Sequence, residues 1–176
     1  MTSTGSTTAA TTTADATDPA TTDTEAGTPL PAAPPVDPRV IALAHYASRA
    51  VLERVIARNG LTFAQQITLR AAAVDGPLER EALVAQVGGA LKADPAEVDA
   101  TVGELCDKGL LSADGPLVGA SDAGRELFAA VGAETAPITA RIYAGIPAED
   151  LAVAGRVLAR VKERAEAELA ALGATA

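Results

Sequence analysis

Residues 94–127 read DPAEVDATVGELCDKGLLSADGPLVGASDAGREL, and this stretch decides the fold. Asp94 ahead of Pro95 is a helix start. The carboxylate can accept from unpaired N–H groups of the first turn, and the proline has the φ that the first helical position wants. With Glu97 three residues on, the segment has the form of a capping box. Val98, Val102 and Leu105 follow at spacings of four and three, one inward stripe of a helix that ends at Lys108-Gly109. Two short apolar runs around Leu110-Leu111 and Leu117-Val118, separated by residues 112–116, predict a compact two-stranded hairpin. Ser121 then caps another helix, with Leu127, Phe128 and Val131 on its apolar side.

The flanking sequence extends the pattern in both directions. Upstream, Thr62-Phe63-Ala64-Gln65 is a capping box that opens a helix carrying Ile67, Leu69 and Ala71 to Ala73, closed by Asp75-Gly76-Pro77. A third helix runs from about Glu79 through Leu83, Val84 and Val87 to Gly88-Gly89. The first helix starts at Asp37-Pro38, carries Val40, Leu43, Ala44, Ala47, Ala50, Val51 and Val55 at helical spacing, and stops at Asn59-Gly60. Ile41, Leu52 and Ile56 widen its apolar stripe, so this helix is expected to be sandwiched, in the core or against a second subunit. Downstream, the helix that Ser121 begins is expected to bend or restart at Gly132 or near Pro137 before reaching Tyr143. After Gly145-Ile146-Pro147 comes a long amphipathic helix with Leu151, Ala154, Val157, Leu158, Val161, Ala165, Leu169 and Leu172 on one seam, which wants a partner helix. The fold class is mainly α: a winged helix-turn-helix with a small two-stranded β-wing, flanked by long N- and C-terminal helices.

Specific residues now carry a resemblance. LTFAQQ at 61–66 with Leu69, the Asp94-Pro95 and Val98 start leading into LCDKGLL at 105–111, SDAGREL at 121–127 and YAGIPAEDL at 143–151 resemble the multiple antibiotic resistance regulator (MarR) family over about residues 38–172. The resemblance implies a homodimeric transcriptional regulator, usually a repressor, whose fourth helix enters the major groove of double-stranded DNA while the wing reaches the minor groove. It also implies a small, often phenolic, aromatic ligand between the dimerisation helices and the DNA-binding lobe. On this reading residues 37–176 form the MarR-like domain, with 37–60 and 121–176 as dimerisation helices and 61–120 as the winged helix-turn-helix.

The charge distribution bears on that role. The net charge is -9, yet residues 1–38 hold five acids (Asp15, Asp18, Asp23, Glu25, Asp37) and no base, in a Thr-, Ala- and Pro-rich tail. Residues 1–36 are expected to be disordered, because they offer almost no apolar surface to offset the entropy of ordering. The first helix is locally basic, with Arg39, Arg49, Arg54 and Arg58 against Glu53. The acids that matter sit on the fourth helix, where Glu97, Asp99, Glu104 and Asp107 occupy outer positions and residues 112–119 of the wing contain no base. An acid in the groove repels the flanking phosphates. The alternative to a DNA-binding regulator is therefore a degenerate winged-helix dimer, acting as a protein-interaction or ligand-binding module.

Candidate site residues follow from these positions. Thr101 and Lys108, helped by Lys92 and Arg125, are the expected DNA contacts. His45, Tyr46 and Arg49 are the expected ligand contacts, weighed against plain packing or a solvated basic face. Leu43, Val157, Val161 and Leu169 are the expected dimer contacts. Phe63, Phe128 and Tyr143 read as core residues. One His and one Cys leave nothing for a Cys/His zinc site within a chain, and Cys106, between Glu104 and Asp107, reads as a small structural residue rather than a thiolate. No catalytic residue, metal or cofactor is expected, since nucleophile and phosphate-loop patterns are absent. No apolar run is long enough for a membrane span and no signal sequence precedes the body, so the expected location is cytoplasmic.

Overall fold

The structure, a computed structural model, describes residues 35–174. The expectation of a disordered tail over 1–36 falls almost wholly outside the described residues. Nine elements follow in order: α1 (Pro38–Arg58), α2 (Phe63–Val74), β1 (Leu78–Glu79), α3 (Arg80–Leu91), α4 (Pro95–Asp107), β2 (Leu111–Asp114), β3 (Leu117–Ala120), α5 (Asp122–Tyr143) and α6 (Ala148–Ala174).

Most helix starts are set by the residues that predict them. The Asp37 carboxylate accepts from the Val40 N–H at 2.8 Å, and Ser121 Oγ accepts from the Gly124 N–H at 3.0 Å. The Thr62 box is complete: Gln65 N–H donates to Thr62 Oγ1 and the Thr62 N–H donates to Gln65 Oε1. At α4 only half a box forms, with Asp94 accepting from the Ala96 N–H at 2.8 Å. Residue 92 ends α3 in the left-handed region (φ 54), three residues beyond the glycines expected to stop it. Those glycines continue the helix instead, inside α3.

α5 runs unbroken from Asp122 to Tyr143 with Pro137 inside it, which corrects the expected restart. Pro137 is exposed, so water can satisfy the carbonyl that its missing N–H leaves free. The sheet is a second correction. It has three strands in the order β1-β3-β2, all antiparallel, with Leu78 opposite Val118 and Leu111 opposite Ala120. The expected hairpin is β2–β3, and β1 adds a short third strand on its far side.

One core lies beneath the lobe formed by α2, α3, α4 and the sheet. Leu69, Leu83, Val102 and Leu105 are fully buried there, joined by Val87, Val98, Leu111 and Val118. Ile56 from α1 and Val131 from α5 seal its edge. Each such side chain contributes roughly 1.5–3 kcal/mol by leaving water. The close approach of α5 to this lobe depends on Gly124: a Cβ there would stand 2.0 Å from the Leu110 carbonyl oxygen. That same oxygen accepts from the Ser121 N–H at 3.1 Å.

The terminal helices are different. Only Val55 and Ile56 of α1 are buried, and none of the described α6 side chains is. The sandwich expected for α1 is therefore not made within one protomer.

Candidate nucleic-acid interface and ligand crevice

α4 turns Val98, Val102 and Leu105 into the core, so Ala96, Asp99, Ala100 and Asp107 face out, all exposed. The four residues expected to touch DNA are each engaged within the chain. Thr101 is half-buried and its hydroxyl donates back to the Glu97 carbonyl at 3.0 Å. Lys108 is exposed, and its Nζ donates to the Gly60 carbonyl and to Gln65 Oε1, both at 3.1 Å. Lys92 pairs with Glu166 of α6 at 3.0 Å. Arg125 donates to the Ala120 carbonyl and to the Asp122 carboxylate. Different parts of the chain hold each of them.

Two of the four acids on α4 are also engaged. Glu104 accepts from Gln65 Nε2 at 2.8 Å, a bond directed at α2 rather than outward. Asp99 accepts from Arg80, the first residue of α3, and Arg80 is the residue that sequence reasoning missed. Its Nε donates to Asp99 Oδ1 at 2.6 Å and its Nη2 to the Asp99 backbone carbonyl at 3.1 Å. A Cβ on Gly103, one turn further along α4, would lie 4.0 Å from Nη2. The guanidinium thus lies along the outer surface of α4. Its backbone is fixed as well, since the Arg80 N–H donates to the Pro116 carbonyl in the wing turn at 3.0 Å. The hydrogen bond to Arg80 holds the Asp99 carboxyl below its ordinary range, and reciprocally raises the guanidinium. Both residues border an open groove of about 560 Å³ between α3 and α4, floored by Val84, Ala85, Pro95 and Ala96. No local pattern marks Arg80, because its partner lies in another helix.

The expected ligand residues do share a region. His45 and Tyr46 precede Arg49 by four and three positions, which places all three on one side of α1. All are exposed, with the His45 and Tyr46 rings 5.8 Å apart. The Arg49 guanidinium sits 4.3 Å above the Phe63 ring and pairs with Glu53 at 2.8 Å. Phe63 is half-buried and packs against the core, as Phe128 does, whereas Tyr143, also expected in the core, is 52% exposed. An aromatic face, a guanidinium, a phenol and an imidazole offer stacking and hydrogen bonds to an aromatic acid. At the far end of α1, Glu134 of α5 accepts from Arg58 at 3.0 Å and from Asn59 at 3.3 Å. These bonds hold the Glu134 carboxyl below its ordinary range, Arg58 contributing most.

The expected dimer residues are open in the single protomer: Leu43 is 57% exposed, Val157 39%, Val161 43% and Leu169 52%. Tyr46 and Val153 extend the same apolar surfaces. Among the described residues no helix is long and apolar enough to cross a membrane, and no group of three or more His, Cys, Asp or Glu is placed to hold a metal ion.

No family profile matches the sequence, and no curated protein does. Solved structures do. NadR in complex with 4-hydroxyphenylacetate is similar with a TM-score of 0.62 and 18% identity, over 73% of this chain and 96% of that one. A MarR family transcriptional regulator from Silicibacter pomeroyi gives a TM-score of 0.62 at 17% identity, over 72% of this chain and 87% of that one. BpsR of Bordetella bronchiseptica, whose DNA binding is regulated by 6-hydroxynicotinic acid, gives 0.57 at 21% identity, over 70% of this chain and 91% of that one. Helix order, three-stranded sheet and long terminal helices together make this the winged-helix fold of MarR-type regulators.

Proposed function

We propose that the chain is a cytoplasmic, homodimeric transcriptional repressor that reads DNA through its winged helix-turn-helix and releases it on binding a small aromatic acid. The placement of α4 carries this reading. Its apolar side is locked into the core of a rigid lobe and its other side is exposed beside a wing. That lobe lies between long helices whose apolar side chains stay open in one protomer. Residues 37–60 and 121–176 supply the dimer contacts, among them Leu43, Val157, Val161 and Leu169, and residues 61–120 read DNA. A two-fold axis would set two α4 helices about one DNA turn apart, roughly 34 Å, to match a pseudo-palindrome.

His45, Tyr46 and Arg49 line the ligand crevice. A phenolic or pyridine carboxylate of the kind named for NadR and BpsR would stack on an aromatic ring and meet the Arg49 guanidinium. Because α1 belongs to the dimer and α2 to the reading lobe, a wedge at Arg49 and Phe63 changes the angle between them. The ligand then favours a spacing that the operator does not fit.

A second reading has its own observation. Lys92, Lys108 and Arg125 are all engaged within the chain, which fits a winged-helix dimer that binds ligands or proteins but not DNA. One experiment separates the two: titrate the full chain against its own upstream duplex and a scrambled duplex at two salt concentrations, then add 4-hydroxyphenylacetate. The repressor reading expects specific binding with a clear salt slope and release by the acid. Absence of specific binding at low salt would leave only the second reading.

A further inference from the structure

The outer surface of α4 has small or acidic side chains and no base of its own before Lys108, whose Nζ is engaged by the Gly60 carbonyl and Gln65. Yet a guanidinium lies across it, reaching from the first residue of α3. We propose that Arg80 is the base-reading residue of this chain, that Asp99 is the residue that positions it, and that the partner is guanine in the major groove. The inference rests on the DNA-binding reading above and gives it a specificity.

Three observations carry it. The first is which donors are occupied. Nε–H and one Nη2–H point back to Asp99, so the end-on pair of amino groups has no partner among the described residues. That pair is the fork that fits the O6 and N7 acceptors of guanine. The second is relief. Ala100 and Gly103 are small, and even a Cβ at Gly103 would come no nearer than 4.0 Å to Nη2, so α4 is low beside the guanidinium. The third is rigidity. The Arg80 backbone is tied to the wing at Pro116 and its side chain to α4 at Asp99, so little rotamer freedom remains to be lost on binding. Asp99 then has a role that its charge conceals. An acid on the reading helix holds the arginine in the pose that reads.

The test uses the full chain and the duplex it selects from a randomised pool, measured by fluorescence anisotropy. Each dG of the selected site is replaced in turn by its 7-deaza analogue, which removes N7 while keeping base pairing. The wild type is expected to lose on the order of 10-fold in affinity at one guanine of each half-site. Arg80→Lys keeps the charge but not the fork, so it should retain the salt slope and lose that sensitivity. Asp99→Ala should bind scrambled duplex more tightly, because an acid is gone, while its sensitivity at the same guanine shrinks. A purely structural role for the pair would not move these two quantities in opposite directions. If Arg80→Lys responds to every 7-deaza substitution as the wild type does, Arg80 is not the reader and DNA binding still stands. If the pool yields no selected site for the wild type, the regulator reading fails and this inference with it.

Discussion

The same substitution at two glycines should move stability in opposite directions. At Gly124 an added methyl would lie 2.0 Å from the Leu110 carbonyl oxygen, 3.0 Å from its carbonyl carbon and 3.2 Å from Leu69 Cδ1. A carbon and a carbonyl oxygen in contact settle at about 3.3–3.6 Å, so the backbone must part by more than an ångström. The neighbour cannot rotate away. The Leu110 oxygen accepts from the Ser121 N–H, and the Leu110 N–H donates to the Leu105 carbonyl at 2.9 Å. Overpacking against rigid surroundings costs about 1–3 kcal/mol, and losing the Ser121 hydrogen bond adds about 1 kcal/mol. Gly124→Ala should therefore destabilise by about 3 kcal/mol. Gly89 lies in the exposed interior of α3 with nothing near its added methyl, so Gly89→Ala should stabilise by about 0.5–1 kcal/mol through helix propensity. Urea unfolding followed by far-ultraviolet circular dichroism at one protein concentration reads both. With a slope of about 2 kcal/mol per molar urea, Gly124→Ala should lower the midpoint by about 1.5 M and Gly89→Ala should raise it slightly. Equal midpoints for Gly124→Ala and wild type would refute the close approach of α5 to Leu110.

Other outcomes follow from the same contacts. Val161→Asp or Leu169→Asp places a carboxylate on the open seam of α6 and should yield monomers or aggregates in sedimentation velocity, and an unchanged mass would contradict the assigned seam. Lys108→Ala should cost about 1 kcal/mol of stability by removing the donor to the Gly60 carbonyl and one of the two donors to Gln65 Oε1. Its salt slope for DNA should equal the wild type's, and a slope smaller by about one would return Lys108 to the phosphate contacts. Asp99, Glu134 and Glu166 all have carboxyls held below their ordinary values by hydrogen bonds from cations, Lys162 contributing most at Glu166. A lowered folded pKa gives stability that is present above the ordinary carboxylate range and is lost as pH falls through the folded values. Thermal midpoints should therefore be flat from neutral pH to about 5 and fall below that, more steeply than in Glu134→Gln; parallel curves would remove the contribution of Glu134.

What was legible in the sequence was mostly local. Asp37, Thr62 with Gln65, and Ser121 announce helices because a cap joins residues two or three apart. The stripe Val98, Val102 and Leu105 was equally plain, since a helix repeats its inner face every three or four positions. Contacts between distant residues were hidden. β1 is two residues long and exists only because Leu78 meets Val118 across the chain; two residues show no alternation. Lys108 looked outward from its place at a helix end, but the Gly60 carbonyl and Gln65 engage its Nζ. Arg80 stands between Glu79 and Glu81 in the sequence, and its partner is a carboxylate 19 positions away. Pro137 signalled a break that an exposed helix face can do without.

α6 has a consequence for how the molecule behaves on dilution. Its 27 residues have no buried side chain among those described, and the ion pair from Lys92 to Glu166 ties it to the lobe. Most of a helix's stability in a protein comes from packing its apolar face, so on the dimer reading proposed above the order of α6 depends on meeting a second chain. Its folding is then a second-order event: the helix should sharpen as concentration rises, and be the first segment nicked by protease as it falls. The number of copies in a cell would thereby set the fraction of chains that possess the helix at all.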